Sequence, residues 1–313
     1  MRTAFISVLH QLAKDDPRVL LLTADNGAIV FDQFRRECPQ QFINCGLCES
    51  TMMTVAAGMA SCGKIPFVYT ITTFLLMRAF EQVRNDVCLQ NMNVKLVGIG
   101  GGLKYSTLGS THHAIEDIAI MKVLPNLTIL SPADPRETAK AVAAMKTLDG
   151  PVYLRMGTNK EPAIYPGDYE FVVGKGVVLN EGKDLAVIAT GSILYDVLSA
   201  VRKLEHEGLS VRVINLHTIK PLDQEIILQA ARETGAVLTV EEHHLSGGLG
   251  ETVAGVILEH AQVPVRFKSL GIEDEFCTIY GPHDYLKEKY GLGVDNICRQ
   301  ARLLCQSKIP TLI

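Results

Sequence analysis

Apolar runs of strand length recur along the first half of the chain, and they do not alternate with polar residues. They are residues 19–24, 42–45, 65–70, 94–99, 127–130 and 152–154. Helix-length segments lie between them, and the clearest predicted helix covers residues 74–90, where Leu76, Phe80, Val83 and Val87 recur at helical spacing. Strands without alternation, separated by helices, are typical of a parallel sheet covered on both faces.

The second half of the chain repeats this alternation of apolar strands and helices. In chain order the predicted elements are residues 185–189, 193–207, 211–216, 223–234 and 236–240. The pattern predicts a second sheet that is also mainly parallel.

A polar stretch at residues 159–169 separates the two series and carries Pro162 and Pro166. Such a lapse in periodicity predicts a linker between domains. We therefore predict two doubly wound α/β domains, residues 1–165 and a smaller one at residues 166–313. The length of 313 residues agrees, because it exceeds the usual size of one domain.

Composition and charge narrow the class of protein. A net charge of −4 and a pI of about 6.1 argue against a nucleic-acid partner, which needs a basic surface. No apolar run reaches membrane-spanning length, and the start of the chain lacks the apolar core of a signal peptide. The eight cysteines are scattered, which favours reduced thiols in a cytoplasmic protein.

One carboxylate stands at the start of an unusual predicted helix. Glu49 follows the C-x-x-C of Cys45 and Cys48 and precedes residues 51–62, which are apolar or small on every side. A helix of that kind is normally buried in a core or an interface. Glu49 is then either an N-capping acid or a functional carboxyl whose charged form is disfavoured by burial. The C-x-x-C has no second ligand pair at zinc spacing, so two small core residues are the better interpretation.

Polar and glycine-rich segments follow several predicted strands. Asp25, Glu49, residues 70–74 and residues 100–102 all stand after a strand, so we expect them at the carboxyl edge of the first sheet, where ligands collect. In the second half, G-G-L-G at residues 247–250 lacks the dinucleotide fingerprint and predicts a tight strand-to-helix turn. His243 and His244 precede this turn and are interpreted as loop or interface residues.

Four motifs, in this order and at these spacings, point to one family. They are G-L-C-E-S at 46–50, T-F-L-L-M-R-A-F-E-Q-V-R at 73–84, G-S-T-H-H at 109–113 with I-E-D at 115–117, and V-E-E at 240–242 with G-G-L-G at 247–250. Nearly the whole chain resembles the C-terminal half of a transketolase, made as a separate subunit. The resemblance implies a pyrimidine-binding domain and a transketolase C-terminal domain.

The resemblance also implies thiamine diphosphate as cofactor and gives residues of this chain a role toward it. Glu49 matches the glutamate that donates a proton to the aminopyrimidine ring, which a buried carboxyl can do. Phe74 matches the aromatic residue that stacks on that ring. Asp25 matches a polar contact near the same pocket, unless it is an ordinary turn aspartate. Arg78 is expected either to line this pocket or to pair with Glu49 or Glu81.

Three basic residues match substrate-binding positions of the family. His112 belongs to the G-x-T-H motif and is also a candidate proton shuttle. Arg2 lies near the start of the pyrimidine domain, and Arg155 follows its last strand. The resemblance implies that these residues hold a sugar phosphate, to which cations in a cleft are suited.

The chain departs from the family at three polar positions. Leu108 stands where the family has an aspartate that hydrogen-bonds a sugar hydroxyl. Gly100 stands in place of a histidine, and Ile29 in place of a serine. Buried hydrogen-bonding groups discriminate strongly among substrates, so their loss predicts a substrate outside the standard pentose phosphates. A modified or deoxy sugar, an unusual acceptor, or pyruvate as donor are the alternatives.

The family's G-D-G motif, which holds the diphosphate and its Mg²⁺ or Ca²⁺, is absent from the sequence. The resemblance therefore implies an N-terminal-half partner subunit that carries the diphosphate and metal site, in an α2β2 heterotetramer. Three other interpretations stay open. They are a β subunit of a 2-oxo acid dehydrogenase, a pyruvate-using enzyme like deoxyxylulose-phosphate synthase, and a subunit that has no catalytic activity.

Overall fold

A computed structural model describes residues 1–27, 29–158, 161–165 and 167–306. The predicted linker at residues 159–169 is therefore described only in part, because Asn159, Lys160 and Pro166 lie outside the described residues. The boundary between the two domains stays a prediction.

The described part contains helices and strands in close alternation. The helices are α1 (Arg2–Asp15), α2 (Asp32–Glu37), α3 (Glu49–Ser61), α4 (Thr72–Leu76), α5 (Phe80–Gln82), α6 (Asp117–Lys122), α7 (Pro135–Thr147), α8 (Leu194–His206), α9 (Gln224–Thr234), α10 (Leu249–His260), α11 (His283–Lys289) and α12 (Val294–Gln306). The strands are β1 (Val19–Thr23), β2 (Phe42–Asn44), β3 (Ile65–Ile71), β4 (Lys95–Ile99), β5 (Thr128–Leu130), β6 (Val152–Met156), β7 (Val177–Asn180), β8 (Leu185–Ala189), β9 (Val211–Asn215), β10 (Thr218–Lys220), β11 (Ala236–His244) and β12 (Arg266–Ile272).

The strands form two sheets, which confirms the predicted α/β class. The first has the order β10-β5-β6-β4-β3-β1-β2 and the second the order β12-β11-β8-β9-β7. All pairs are parallel except β10 on β5 and β7 on β9. Strands β1, β4, β6 and β8 are buried along their whole length, because helices cover both faces.

The two halves of the chain are joined more closely than their separate patterns indicate. Strand β10 belongs to the second half by sequence but pairs antiparallel with β5 of the first sheet. One buried hydrophobic cluster also contains Leu22 and Val68 of the first half together with Ile188 and Ile214 of the second. The first sheet therefore packs against structure from both halves of the chain.

The predicted helix at residues 74–90 is wrong as a single element. It is broken into α4, a turn, α5 and a π-helix at Val83–Cys88. The Arg78 carbonyl in the turn accepts a hydrogen bond from Ser50 Oγ at 3.1 Å. This hydrogen bond connects the turn to α3. A contact between separate elements cannot be predicted from the local spacing of apolar residues.

Helix α3 buries one face rather than its whole surface. Glu49, Met52, Met53, Ala56 and Ala57 are buried. The opposite face, which includes Val55, is exposed. No other element in the described part of this chain covers the exposed face of α3.

Two general features complete the picture. Among residues 1–27, 29–158, 161–165 and 167–306, no helix combines the length and apolar character that crossing a membrane requires. All eight cysteines are unpaired, including Cys45 and Cys48 beside α3.

Candidate functional site

Glu49 stands at the carboxyl edge of the first sheet, where β2 turns into α3. Gly46 makes this turn with φ of +74°, a conformation that suits glycine. The Glu49 side chain is only 1% exposed, and its Oε2 accepts a hydrogen bond from Arg78 Nη1 at 2.8 Å. Of the alternatives for Arg78, the structure shows pairing with Glu49. A carboxylate buried this deeply needs such a partner.

Aromatic rings continue from this ion pair. The Arg78 guanidinium lies 4.9 Å from the centre of the Phe74 ring. Phe74 in turn meets the His112 ring edge-on, with 5.2 Å between ring centres. His112 Nδ1 is 3.0 Å from Thr111 Oγ1, so its Nε2 is the nitrogen left for a ligand. Phe74 is half-buried and keeps part of its ring accessible.

The row ends at a tyrosine and an arginine from distant parts of the chain. The Tyr105 and His112 rings are 6.2 Å apart. Arg2, at the start of α1, acts electrostatically on Tyr105 and hydrogen-bonds Tyr69. We call these six residues the edge cluster: Glu49, Arg78, Phe74, His112, Tyr105 and Arg2. The structure thus brings together five of the predicted site residues and adds Tyr105, which sequence reasoning missed.

Asp25 is not in contact with the edge cluster among the contacts described. It is exposed, with φ of +52°, and its Oδ1 accepts a hydrogen bond from Asn44 Nδ2 at 2.9 Å. Its backbone N–H donates to Asn44 Oδ1 at 3.0 Å. This geometry is that of a turn aspartate at the end of β1.

The neighbouring Asn26 is a second residue that sequence reasoning missed. Its Nδ2 donates to Thr70 Oγ1 at 2.7 Å, at the end of β3. Its Oδ1 is buried and has no hydrogen-bond partner in the described part of the chain. A buried acceptor without a partner is a natural place for a ligand N–H group.

Arg155 does not join the edge cluster, and its expected contact with substrate stays a prediction. It is 6% exposed, and its Nε donates to Asp117 Oδ2 at 2.7 Å. Its Nη2 donates to the carbonyls of Ala114 and Glu242, at 3.1 and 2.9 Å. These bonds tie β6 to α6 and β11, so Arg155 helps to hold the two halves of the chain together.

The three positions that depart from the family differ in their surroundings. Ile29 is 86% exposed, and Leu108 is also exposed. Gly100 is buried at the end of β4, and the Tyr105 ring covers it.

The second half of the chain holds the loop that carries His112. Glu242 Oε2 accepts the backbone N–H of Leu103 at 3.1 Å and lies 2.8 Å from His283 Nε2. Although burial acts to raise it, the nearby His283 holds the pKa of Glu242 below its ordinary value. Ser110 Oγ donates to the Cys277 carbonyl at 2.7 Å. Both ends of the loop are therefore anchored by the second half.

The G-G-L-G segment forms the predicted tight turn. Glu241 accepts hydrogen bonds from the backbone N–H groups of Leu249 and Gly250 at 2.6 and 2.7 Å, at the start of α10. A Cβ atom on Gly248 would lie 2.4 Å from Glu241 Oε2. A carboxylate of the chain thus fills the position that an anion would need. His243 and His244 lie at the junction of the two halves, since Ala119 N–H donates to His243 Nε2 and His244 N–H donates to the Ile115 carbonyl.

The donor set at the edge cluster fits one part of an aminopyrimidine. The buried carboxyl of Glu49 and the half-buried ring of Phe74 are groups that such a ring could bond or stack on. Outside the cluster, the buried Asn26 Oδ1 is a further acceptor without a partner in the described part of the chain. In the described part of the chain, no group of three or more His, Cys, Asp or Glu side chains is arranged to hold a metal ion.

Comparison with protein-family models matches both halves of the chain. Residues 1–161 match the model described as the transketolase pyrimidine binding domain. Residues 174–297 match the model described as the transketolase C-terminal domain. The two matches together span most of the chain.

Curated relatives of similar length carry related names. The chain is 38% identical over 302 residues to a subunit of the apulose-4-phosphate transketolase of Phocaeicola vulgatus, covering 96% of each chain. It is 36% identical over 309 residues to the 6-deoxy-6-sulfo-D-fructose transketolase subunit SqwH of a Clostridium species, covering 98% of this chain and 95% of the relative. This chain is almost equally similar to the two relatives, although their names refer to different sugars.

A solved structure agrees with these relatives. It is described as a split gene transketolase, inactive beta4 tetramer, and it matches with a TM-score of 0.90 and 37% identity. The match covers 98% of this chain and 99% of that one. The similarity therefore extends over both sheets.

Proposed function

The chain belongs to the transketolase family, and from this we propose that it is the pyrimidine-binding subunit of a split, thiamine diphosphate-dependent transferase. With an N-terminal-half partner it would move a two-carbon ketol unit between sugar-type substrates. The observation that carries this proposal is the position of the Glu49 carboxyl. It is 1% exposed and paired with Arg78, and the Phe74 ring lies between this pair and His112.

Residues of the edge cluster have distinct tasks in this proposal. When bound, thiamine diphosphate supplies the carbanion chemistry for breaking and making carbon–carbon bonds next to a carbonyl. The Glu49 carboxyl would hold the pyrimidine ring nitrogen and exchange a proton with it, and Arg78 fixes the orientation of that carboxyl through its bond to Oε2. Phe74 would orient the ring by stacking, and Asn26, outside the cluster, would accept an N–H group at its buried Oδ1.

Substrate contacts lie at the other end of the cluster. His112, whose Nδ1 lies beside Thr111, would use Nε2 to move protons to or from substrate oxygens. Arg2 supplies positive charge for a phosphate or sulfonate group. The apolar side chains at Ile29 and Leu108 support a sugar that differs from the standard pentose phosphates, as the two relatives named for unusual sugars also suggest.

A partner subunit is part of the proposal. The sequence has no G-D-G motif for the diphosphate, so a chain carrying that motif would complete the site and hold Mg²⁺ or Ca²⁺. A similar structure described as an inactive beta4 tetramer supports self-association of this kind of subunit without its partner. We propose an α2β2 assembly as the working enzyme.

Calorimetry with thiamine diphosphate and Mg²⁺ tests the proposal, first on this chain alone and then with the co-expressed G-D-G partner. We expect tight binding only in the mixture. Glu49→Gln should lower turnover at least about 100-fold in that complex. The exposed Glu81→Gln, close in sequence to Arg78, is the matched control and should keep wild-type turnover.

Two results would contradict the proposal. One is the absence of cofactor binding in the mixture, and the other is equal turnover in the Glu49→Gln and Glu81→Gln complexes. A donor screen that includes hydroxypyruvate and pyruvate separates ketol transfer from the pyruvate-using alternative, because the two donors differ by one hydroxyl group.

A further inference from the structure

The loop that carries Tyr105 is held firmly where it leaves β4. The backbone N–H groups of Gly100 and Gly101 both donate to the Met156 carbonyl, at 2.9 and 2.8 Å. Gly102 exchanges two hydrogen bonds with Ala114. With Leu103 held by Glu242, the path of the chain into Tyr105 is fixed by both halves of the molecule.

Tyr105 and Gly100 form a complementary pair. Gly100 has φ of +85°, and a Cβ atom there would lie 2.2 Å from both Cδ2 and Cε2 of the Tyr105 ring. Any side chain at position 100 would therefore have to displace this ring. The ring occupies the space at the carboxyl end of β4, near the middle of the first sheet, where ligands of such sheets collect.

The neighbours of Tyr105 place it beside His112 in the edge cluster. His112 is the first ring beyond Phe74, and Tyr105 is the second, with ring centres 5.2 and 6.2 Å apart along the row. Burial raises the pKa of Tyr105, and the charge of Arg2 opposes this only in part, so the phenol keeps its proton at neutral pH and is able to donate a hydrogen bond.

We propose that Tyr105 is a specificity-determining residue whose hydroxyl binds the hydroxyl group of the two-carbon unit. The inference rests on the proposed function and names one determinant of its donor. The tyrosine takes the place that a side chain at position 100 would otherwise fill. Its hydroxyl distinguishes a ketol donor from a donor that ends in a methyl group, because a site with a buried hydrogen-bonding group rejects a ligand that leaves it unpaired.

Tyr105→Phe in the complex with the partner tests this inference. The variant keeps the ring against Gly100 and removes only the hydroxyl, so the fold should be unchanged. We expect kcat/KM for hydroxypyruvate to fall about tenfold or more while kcat/KM for pyruvate stays within about twofold. Affinity for thiamine diphosphate, measured by calorimetry, should not change. Tyr285→Phe, an exposed tyrosine on α11, is the matched control and should leave the donor ratio unchanged.

The outcomes separate the inference from the function on which it rests. A wild-type complex that uses hydroxypyruvate, with an unchanged donor ratio in Tyr105→Phe, would overturn the role of Tyr105 and leave the proposed function in place. A wild-type complex that binds cofactor but uses only pyruvate, or neither donor, would contradict the ketol-transfer proposal and the role of Tyr105 together.

Discussion

Two buried histidines make the stability of this protein depend on pH. His243 lies in β11, where its Nδ1 is 2.7 Å from the His244 carbonyl and its Nε2 accepts the Ala119 N–H at 3.3 Å. One ring nitrogen must donate and the other must accept, so the ring is neutral. Burial lowers the pKa of His243 to about 4, although Asp117 opposes this. Burial also lowers the pKa of His217 to about 4.

The sign of the effect follows from proton uptake. Between pH 6.5 and about 4 the unfolded chain binds protons at these histidines and the folded chain does not, so stability decreases as pH falls. Each histidine contributes a slope of up to about 1.4 kcal/mol per pH unit in this window. We expect His243→Gln to weaken the pH dependence of the free energy of unfolding, measured with urea between pH 7 and 5. The decrease should correspond to about one proton fewer taken up on unfolding.

His260→Gln is the control for this measurement, because His260 is exposed at the end of α10. It should leave the slope as in the wild type. An equal slope in wild type and His243→Gln would show that the native state takes up the proton at His243 after all.

At the scale of secondary-structure elements, the junction of β6, α6 and β11 depends on one buried ion pair. Asp117 Oδ2 accepts hydrogen bonds from Tyr153 Oη at 2.6 Å and from Arg155 Nε at 2.7 Å. Removing one member of a buried pair leaves the other charge without compensation. The three elements meet here although they are far apart in the chain.

Arg155→Met should therefore destabilise the protein by about 3–5 kcal/mol in urea unfolding. Adding Asp117→Asn should recover part of this loss, because the buried carboxylate is then absent. Arg302→Met breaks an exposed pair with Glu207 and serves as control, with an expected loss below about 1 kcal/mol. Equal losses for Arg155→Met and Arg302→Met would rule out the buried pair as the tie between these elements.

At the scale of the whole molecule, the exposed face of α3 points to assembly. The helix sequence is apolar or small on every side, but the described part of the chain covers only one face. Val55, Gly58 and Met59 line a shallow groove together with Leu20 and Ile43. An apolar surface of this kind is typical of an interface.

We expect Val55→Arg to lower the mass of the assembly in light scattering, while thermal unfolding of the chain changes little. Val263→Arg places the same substitution at a similarly exposed valine before β12 and should leave the mass unchanged. Wild-type mass in both variants would exclude this face of α3 from the interface.

The sequence by itself determined the fold class, the position of most strands and the place of Glu49 at a helix start. Strands buried on both faces require continuous apolar runs, and helices and turns are governed by nearby residues, so these features can be predicted locally. Because parallel strands end at one edge, the neighbourhood of Glu49, Phe74 and residues 100–102 could be predicted as well. The single helix at 74–90 was wrong, because the chain leaves the helix near Arg78, whose carbonyl accepts a hydrogen bond from Ser50 of α3.

Only the tertiary structure decided which side chains meet. Arg155 follows a strand at the same edge as the site, yet Asp117, Ala114 and Glu242 bind it from distant parts of the chain. Arg78 reaches Glu49, and Tyr105 fills the space over Gly100. Such contacts depend on side-chain direction and packing between remote segments, which hydrophobic periodicity does not record.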